Sequence, residues 1–196
     1  MYIFWDNSNI HISGLTQVMP NIEPQASREL YRTHFANLFK LIKKDRNVDR
    51  AYLSGSVPPP NDQLWNYLTR LNIKLQLLDK TADGKEQESV DMSLQTMMLR
   101  TAIDTPPSIM AIVTGDGAGK QLGEGFLSDI QRIKERLGWQ IELYAWESSC
   151  NNRLKQYAKG NGIFTRLEDY YENITFIQQD RKGDDPYYRI VKPLSL

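Results

Sequence analysis

Cysteine and histidine are nearly missing from this sequence. One cysteine, Cys150, cannot close an internal disulfide, and His11 and His34 are too far apart to share a metal-binding helical turn. A zinc site of thiols or imidazoles is thereby excluded, so any metal must be held mainly by oxygen. Long apolar runs are also missing: nowhere do about 18 apolar residues follow one another, and the start MYIFWDNSN has no basic n-region and no signal-length apolar stretch. The sequence predicts a cytoplasmic protein with no membrane partner. Finally, neither sign of charge is in excess. The 24 Lys and Arg balance 24 Asp and Glu, which excludes a global basic field drawing the chain to nucleic acid or anionic lipid. Local basic groups are present at Lys40, Lys43, Lys44 and Arg46 and again at Arg181, Lys182, Arg189 and Lys192, most simply as solvated faces.

What is there suits a packed domain. The chain has 196 residues, 40% hydrophobic and 24% charged, enough apolar material for one sizeable core but not for two. Tyr2-Ile3-Phe4-Trp5 reads as a buried strand that stops at the polar loop Asp6-Asn7-Ser8-Asn9. From Ser27, an expected N-cap, the spacing of Tyr31, Phe35, Leu38 and Ile42 predicts a helix with one apolar stripe. Val48 to Leu53 predicts a second strand closed by Gly55, Leu64 to Leu71 a short helix, and Ile73, Leu75 and Leu77 a third strand. Val90 to Ile103 reads as helix, Ile109 to Val113 as a strongly apolar strand, and Gly125 to Leu137 as a helix ended by Gly138. A strand at Ile141 to Trp146, a helix at Asn152 to Ala158 and a short strand at Ile163 to Thr165 complete the alternation.

Strands alternating with helices predict an α/β fold of three layers, with a parallel central sheet between helices. In such sheets ligands bind beyond the carboxyl ends of the strands, where the strand order reverses. Residues 1–172 are expected to form the domain. Residues 173–196 lose clear periodicity and are expected to be a tail packed on the domain or on a second copy in a homo-oligomer. Tyr170, Tyr171, Tyr187 and Tyr188 could stack on bases there, although plain packing is the simpler reading.

Three acids stand at sharp transitions: Asp6 after the first strand, Asp91 at the start of a helix, and Asp116 after the strong later strand. Each taken alone is a turn residue or a helix cap. Carboxylates brought together repel and are tolerated chiefly when a cation neutralises them. Hard oxygen ligands point to Mg²⁺ or Mn²⁺, which activate water and stabilise the oxygens of a phosphodiester in in-line displacement.

WDNSN at 5–9, SVDMSLQTMML at 89–99 and IVTGDG at 112–117 resemble, in order and spacing, the three motif blocks of NYN domains. The stretch IELYAWESSCNNRLKQYAKGNGIFTRLEDY at 141–170 is similar to the closing strand, helix and short strand of that family, so the resemblance covers about residues 1–170. It implies a PIN-like fold and a metal-dependent ribonuclease acting on RNA, with Asp6, Asp91 and Asp116 as ligands of Mg²⁺ or Mn²⁺. Asn9 and Thr114 would orient ligands or substrate. Such domains often carry two further acids, and here those positions are Ala118 and Met97, with Glu88 or Glu124 as substitutes if they are not plain surface residues. A domain that keeps the fold but binds RNA or protein without cutting is therefore the alternative.

Other phosphate chemistries fit less well. Gly115 and Gly119 enclose three residues where a phosphate loop needs four, and Gln121 replaces the magnesium-binding hydroxyl, although Lys120 could still touch a substrate phosphate. Ser8 stands where a phosphatase using Asp6 as nucleophile would carry its second acid. No Gly-x-Gly-x-x-Gly follows the first strand.

Overall fold

The computed structural model describes residues 1–56, 66, 68–70, 73–78, 86–116 and 125–195. The chain begins with β1 (Tyr2–Asp6) and passes directly into α1 (Asn7–Ser13), a π-helical turn (Gly14–Val18) and α2 (Met19–Ile22). After a 3₁₀ turn come β2 (Tyr31–Thr33), α3 (Phe35–Lys43), β3 (Arg50–Ser56) and β4 (Ile73–Leu78). The second half runs α4 (Glu86–Asp104), β5 (Ile109–Val113), α5 (Phe126–Leu137), β6 (Gln140–Ala145), α6 (Asn152–Asn161) and β7 (Ile163–Arg166). A last 3₁₀ turn leads to α7 (Tyr171–Ile174) and β8 (Thr175–Ile177).

Six strands form one parallel sheet in the order β4-β3-β1-β5-β6-β7. The expected α/β fold with a parallel central sheet is therefore what the chain adopts. Starting from β1, the chain fills the sheet first toward β3 and β4, then returns to the other side of β1 and continues through β5 to β7. The reversal falls between β1 and β5, whose registers run from Tyr2 opposite Met110 to Trp5 opposite Val113. At that junction successive loops leave in opposite directions and open a crevice.

Alternation of side chains gives each sheet face its own core. Ile3, Trp5, Leu53, Ala111 and Val113 belong to one buried cluster, with Ile10, Leu38, Ile42 and Tyr171 from the helices on that side. Phe4, Met110, Ile112 and Leu143 belong to the other, with Leu94 and Met98 of α4, Ile130 of α5 and Leu154 of α6. Three layers result.

Several local expectations are corrected. The polar stretch after β1 is a helix start and not a loop, because the Asp6 carboxylate accepts the Asn9 N–H and so caps α1. The helix predicted from Ser27 begins only at Phe35. Ser27 makes no side-chain cap, His34 Nδ1 accepts the Asn37 N–H instead, and Tyr31 sits in a strand paired antiparallel with β8. Pairing with a segment about 145 residues away overrides the helical spacing. Gly55 lies inside β3, where a β-carbon would sit 3.3 Å from Asn7 Cβ. Gly138 does end α5, with a left-handed φ of 73° that suits glycine. The short helix at 64–71 lies mostly outside the described residues, although Asn66 and Leu68 to Arg70 are helical.

The last residues enter the fold. Ile177 exchanges backbone hydrogen bonds with Arg189, and Leu194 is buried in the cluster that holds Tyr31 and Leu38. No described helix is long and apolar enough to cross a membrane.

Candidate functional site

Two of the three expected acids are placed by the central strands. Asp6 ends β1 and Thr114 follows β5, and both continue the alternation set by Phe4 and Ile112, so they point to the side of the sheet that α4 covers. They touch directly: Thr114 Oγ1 donates to Asp6 Oδ2 at 3.0 Å, while the Asn9 N–H donates to Asp6 Oδ1 at 2.9 Å. The same Thr114 oxygen accepts the Asp116 N–H at 3.1 Å. Thr114 is thus more than a turn hydroxyl, since one oxygen orders both the Asp6 carboxylate and the backbone that carries Asp116.

A second link joins the same two strand exits. Asn9 Oδ1 accepts the Gly115 N–H at 2.7 Å, and the Gly115 carbonyl accepts the Asn151 N–H at 2.9 Å. A β-carbon on residue 115 would lie 3.2 Å from Asn9 Oδ1 and 3.4 Å from Cys150 Cα, so glycine permits this close approach. Asn151 was not expected from the sequence. Its signal there was only that of an asparagine before a helix, and it does cap α6, its Oδ1 accepting from Arg153 and Leu154.

Among the described residues Asp6 is an acid without a counter-charge. It is 2% exposed, and burial pushes its carboxyl up from 3.8 to about 6, the hydrogen bonds from Asn9 and Thr114 opposing the rise and the charge of Asp116 adding to it. Among the described residues no lysine or arginine bears on it. Asn7 Oδ1, on the next residue, is buried and, among the described residues, accepts no hydrogen bond. A buried carboxylate, a second acid beside it and oxygen donors in place of thiols or imidazoles fit a hard divalent cation.

Asp91 lies within α4, in its second turn and not at the start of the helix as expected, because the helix begins at Glu86. It stands three residues before Leu94 and seven before Met98, the buried residues that seat α4 on the sheet, so its backbone position is on the stripe facing Asp6's side. Its side chain is outside the described atoms, and among the described residues no group of three acids, histidines or cysteines is gathered. Met97 is half-buried against the apolar cluster. Lys120, Ala118 and Glu124 fall outside the described residues, as does the side chain of Glu88.

Two of the basic groups expected on solvated faces are instead engaged within the fold. Arg46 pairs with the buried Glu142, its Nη2 donating to Oε2 at 2.9 Å. Arg189 donates from Nε to Glu23 Oε1 at 2.6 Å, and the hydroxyls of Tyr171 and Tyr187 donate to the same carboxylate.

A family model described as NYN domain matches residues 1–164. Comparison with curated proteins finds no match. Among solved structures the chain is similar to the crystal structure of a protein of unknown function from Vibrio parahaemolyticus, with 13% identity and a TM-score of 0.58 over 86% of this chain and 93% of that one. At that identity the likeness concerns the fold alone.

Proposed function

We propose that this chain, a member of the NYN domain family with its PIN-like, nuclease-type fold, is an endoribonuclease that hydrolyses RNA phosphodiesters with Mg²⁺ or Mn²⁺. The observation that carries this reading is Asp6: a carboxylate 2% exposed, raised to about 6, next to a second acid, at the one reversal of the sheet order. A fold bears such a group at a cost to stability unless something bound there returns it. Asp6, Asp91 and Asp116 are the residues to hold the cation, which when bound supplies a nucleophilic water at neutral pH and charge stabilisation for the phosphodiester oxygens.

The chain's own part is orientation. The Asn9 N–H and the Thr114 hydroxyl each fix one oxygen of Asp6, which orients the carboxylate toward the position a cation would take. The Asn9 side chain keeps the exits of β1 and β5 at a fixed separation through Gly115. Such preorganisation is what lets charged groups act in a site shielded from water.

Met97 supports a second reading. Where many relatives are expected to place an acid, a half-buried methionine packs on the core, which favours a domain that binds RNA or protein without cutting. The deciding experiment incubates the purified chain with labelled single-stranded and structured RNA in Mn²⁺, Mg²⁺ or EDTA, beside Asp6→Asn and Asp116→Asn variants. The expected result is metal-dependent cleavage that falls by a factor of about 100 or more in either variant. RNA left intact under every metal, with RNA still bound, would overturn the enzymatic reading in favour of the second.

A further inference from the structure

Beside Asp116 an open cavity of about 380 Å³ lies between the helical run that follows β1 and the turn that leads into α6. Asn9, Ile12 and Gln17 line one wall, and Asn151 lines the other. Two of these amides are fixed in orientation. Asn9 Oδ1 accepts the Gly115 N–H, and Asn151 Oδ1 accepts the N–H groups of Arg153 and Leu154, at 3.0 and 3.3 Å. A backbone N–H is met only by an acceptor, so the oxygen of each amide is committed and its NH₂ is turned away from the backbone. Among the described residues neither Nδ2 makes a hydrogen bond. Gly115 sets the spacing of the pair, bonded through its N–H to one asparagine side chain and through its carbonyl to the backbone of the other.

The character of the lining selects the occupant. Among the described residues its one charge is Asp116, which repels phosphate, and no cation is there to offset it. Two neutral donors suit neutral acceptors, and Ile12, 48% exposed, adds an apolar surface. Acceptor edges joined to an apolar face describe a nucleobase. A base can present both only when it is unpaired and unstacked, since an A-form duplex offers mainly phosphates and 2′-hydroxyls.

We propose that this cavity takes one base of single-stranded RNA next to the scissile phosphate, the NH₂ groups of Asn9 and Asn151 donating to its acceptor edge and Ile12 lying against its face. The inference rests on the nuclease reading for the position of the scissile phosphate, but the recognition is separable from cleavage. It makes Asn151 a specificity-determining residue, and it gives an electroneutral chain a way to hold RNA without a basic surface.

The test measures binding in EDTA, by fluorescence anisotropy, of a labelled single-stranded RNA and of the same strand annealed to its complement. Asn151→Asp keeps an equivalent helix cap while deleting the NH₂ donor and adding negative charge, so its melting temperature should match the wild type. Single-stranded RNA should bind about tenfold or more tightly than duplex, with little dependence on salt. Asn151→Asp should weaken it about tenfold, and Ile12→Ser about threefold. Equal affinity for duplex, no single-strand binding, or unchanged affinity in Asn151→Asp overturns the proposal. If RNA is cut but the variants bind like wild type, only the base site fails. If the variants lose binding while no metal brings cleavage, the nuclease reading fails and the base site stands.

Discussion

Among the buried carboxylates of this protein, Glu23 and Asp6 are accommodated in opposite ways. Glu23, 5% exposed, is answered from every side: burial acts to raise its carboxyl, but hydrogen bonds from Arg189, Tyr187 and Tyr171 outweigh that and hold it below the ordinary glutamate value. Asp6, 2% exposed, receives hydrogen bonds from the neutral groups of Asn9, Thr114 and Ser8, and burial wins, lifting it to about 6. Both acids are hidden from water, yet Glu23 is answered by a cation of the chain, whereas among the described residues no lysine or arginine bears on Asp6. The contrast separates an acid that fastens the fold from one proposed to serve a ligand, on grounds that burial alone would not give.

The sharpest way to break the contrast is to remove the cation from the completed acid. Arg189→Met should cost about 3–5 kcal/mol in chemical denaturation, because it leaves Glu23 buried and unpaired. A loss under about 1 kcal/mol would mean that Glu23 is as incomplete as Asp6. The opposite operation on Asp6 should have the opposite sign. Asp6→Asn should stabilise the cation-free protein by about 1–3 kcal/mol and abolish the rise in melting temperature brought by Mg²⁺ or Mn²⁺.

Wild-type stability should also depend on pH in a direction set by Asp6. Its folded value, about 6, lies above the ordinary 3.8, so the folded state holds the proton more tightly than the unfolded chain does. That contribution is complete below about 4 and is lost as pH rises through about 6, and saturating Mn²⁺ should remove the decline at the upper end. Asp6→Asn subtracts this component from the whole-protein pH profile, and a profile unchanged by it would refute the assignment. The smallest effect concerns the hydroxyl between the strands. Thr114→Val should cost about 1–2 kcal/mol and Thr114→Ser much less, since serine keeps an oxygen for Asp6 Oδ2 and the Asp116 N–H.

Much of the sheet was legible in the sequence. Ile109 to Val113 was found at its observed bounds because a short apolar run between polar ends is an unambiguous signal, and the family match over residues 1–164 accords with the motif blocks at 5–9, 89–99 and 112–117. That Asp6 and Asp116 come at the ends of strands was legible too, but the bond from the Thr114 hydroxyl to Asp6 was not, because it joins residues 108 positions apart. What stayed hidden depended on partners far along the chain. Tyr31 kept a helical spacing with Phe35 but pairs with Ile177, and Arg189 looked like a surface charge because nothing local announces Glu23. The helical run after Asp6 was also missed, since Asn7-Ser8-Asn9 has turn composition and becomes helical only once the Asp6 carboxylate caps it. Asn151 was passed over for the same kind of reason: a cap is a local signal, whereas its bond to Gly115 is not.

The Glu23 to Arg189 link spans 166 positions, and this separation bears on how the molecule is made. A chain emerging residue by residue can lay down β1 and the helical run with Asn9, Ile12 and Gln17 early, but the far end of that run stays unfastened until the stretch containing Tyr187 and Arg189 has left the ribosome. Until then Glu23 has reason to remain in water. A copy that stops short of Arg189 would thus hold the Glu23 carboxylate without its cation, so the fastening of the helical run after β1 waits on a stretch made much later.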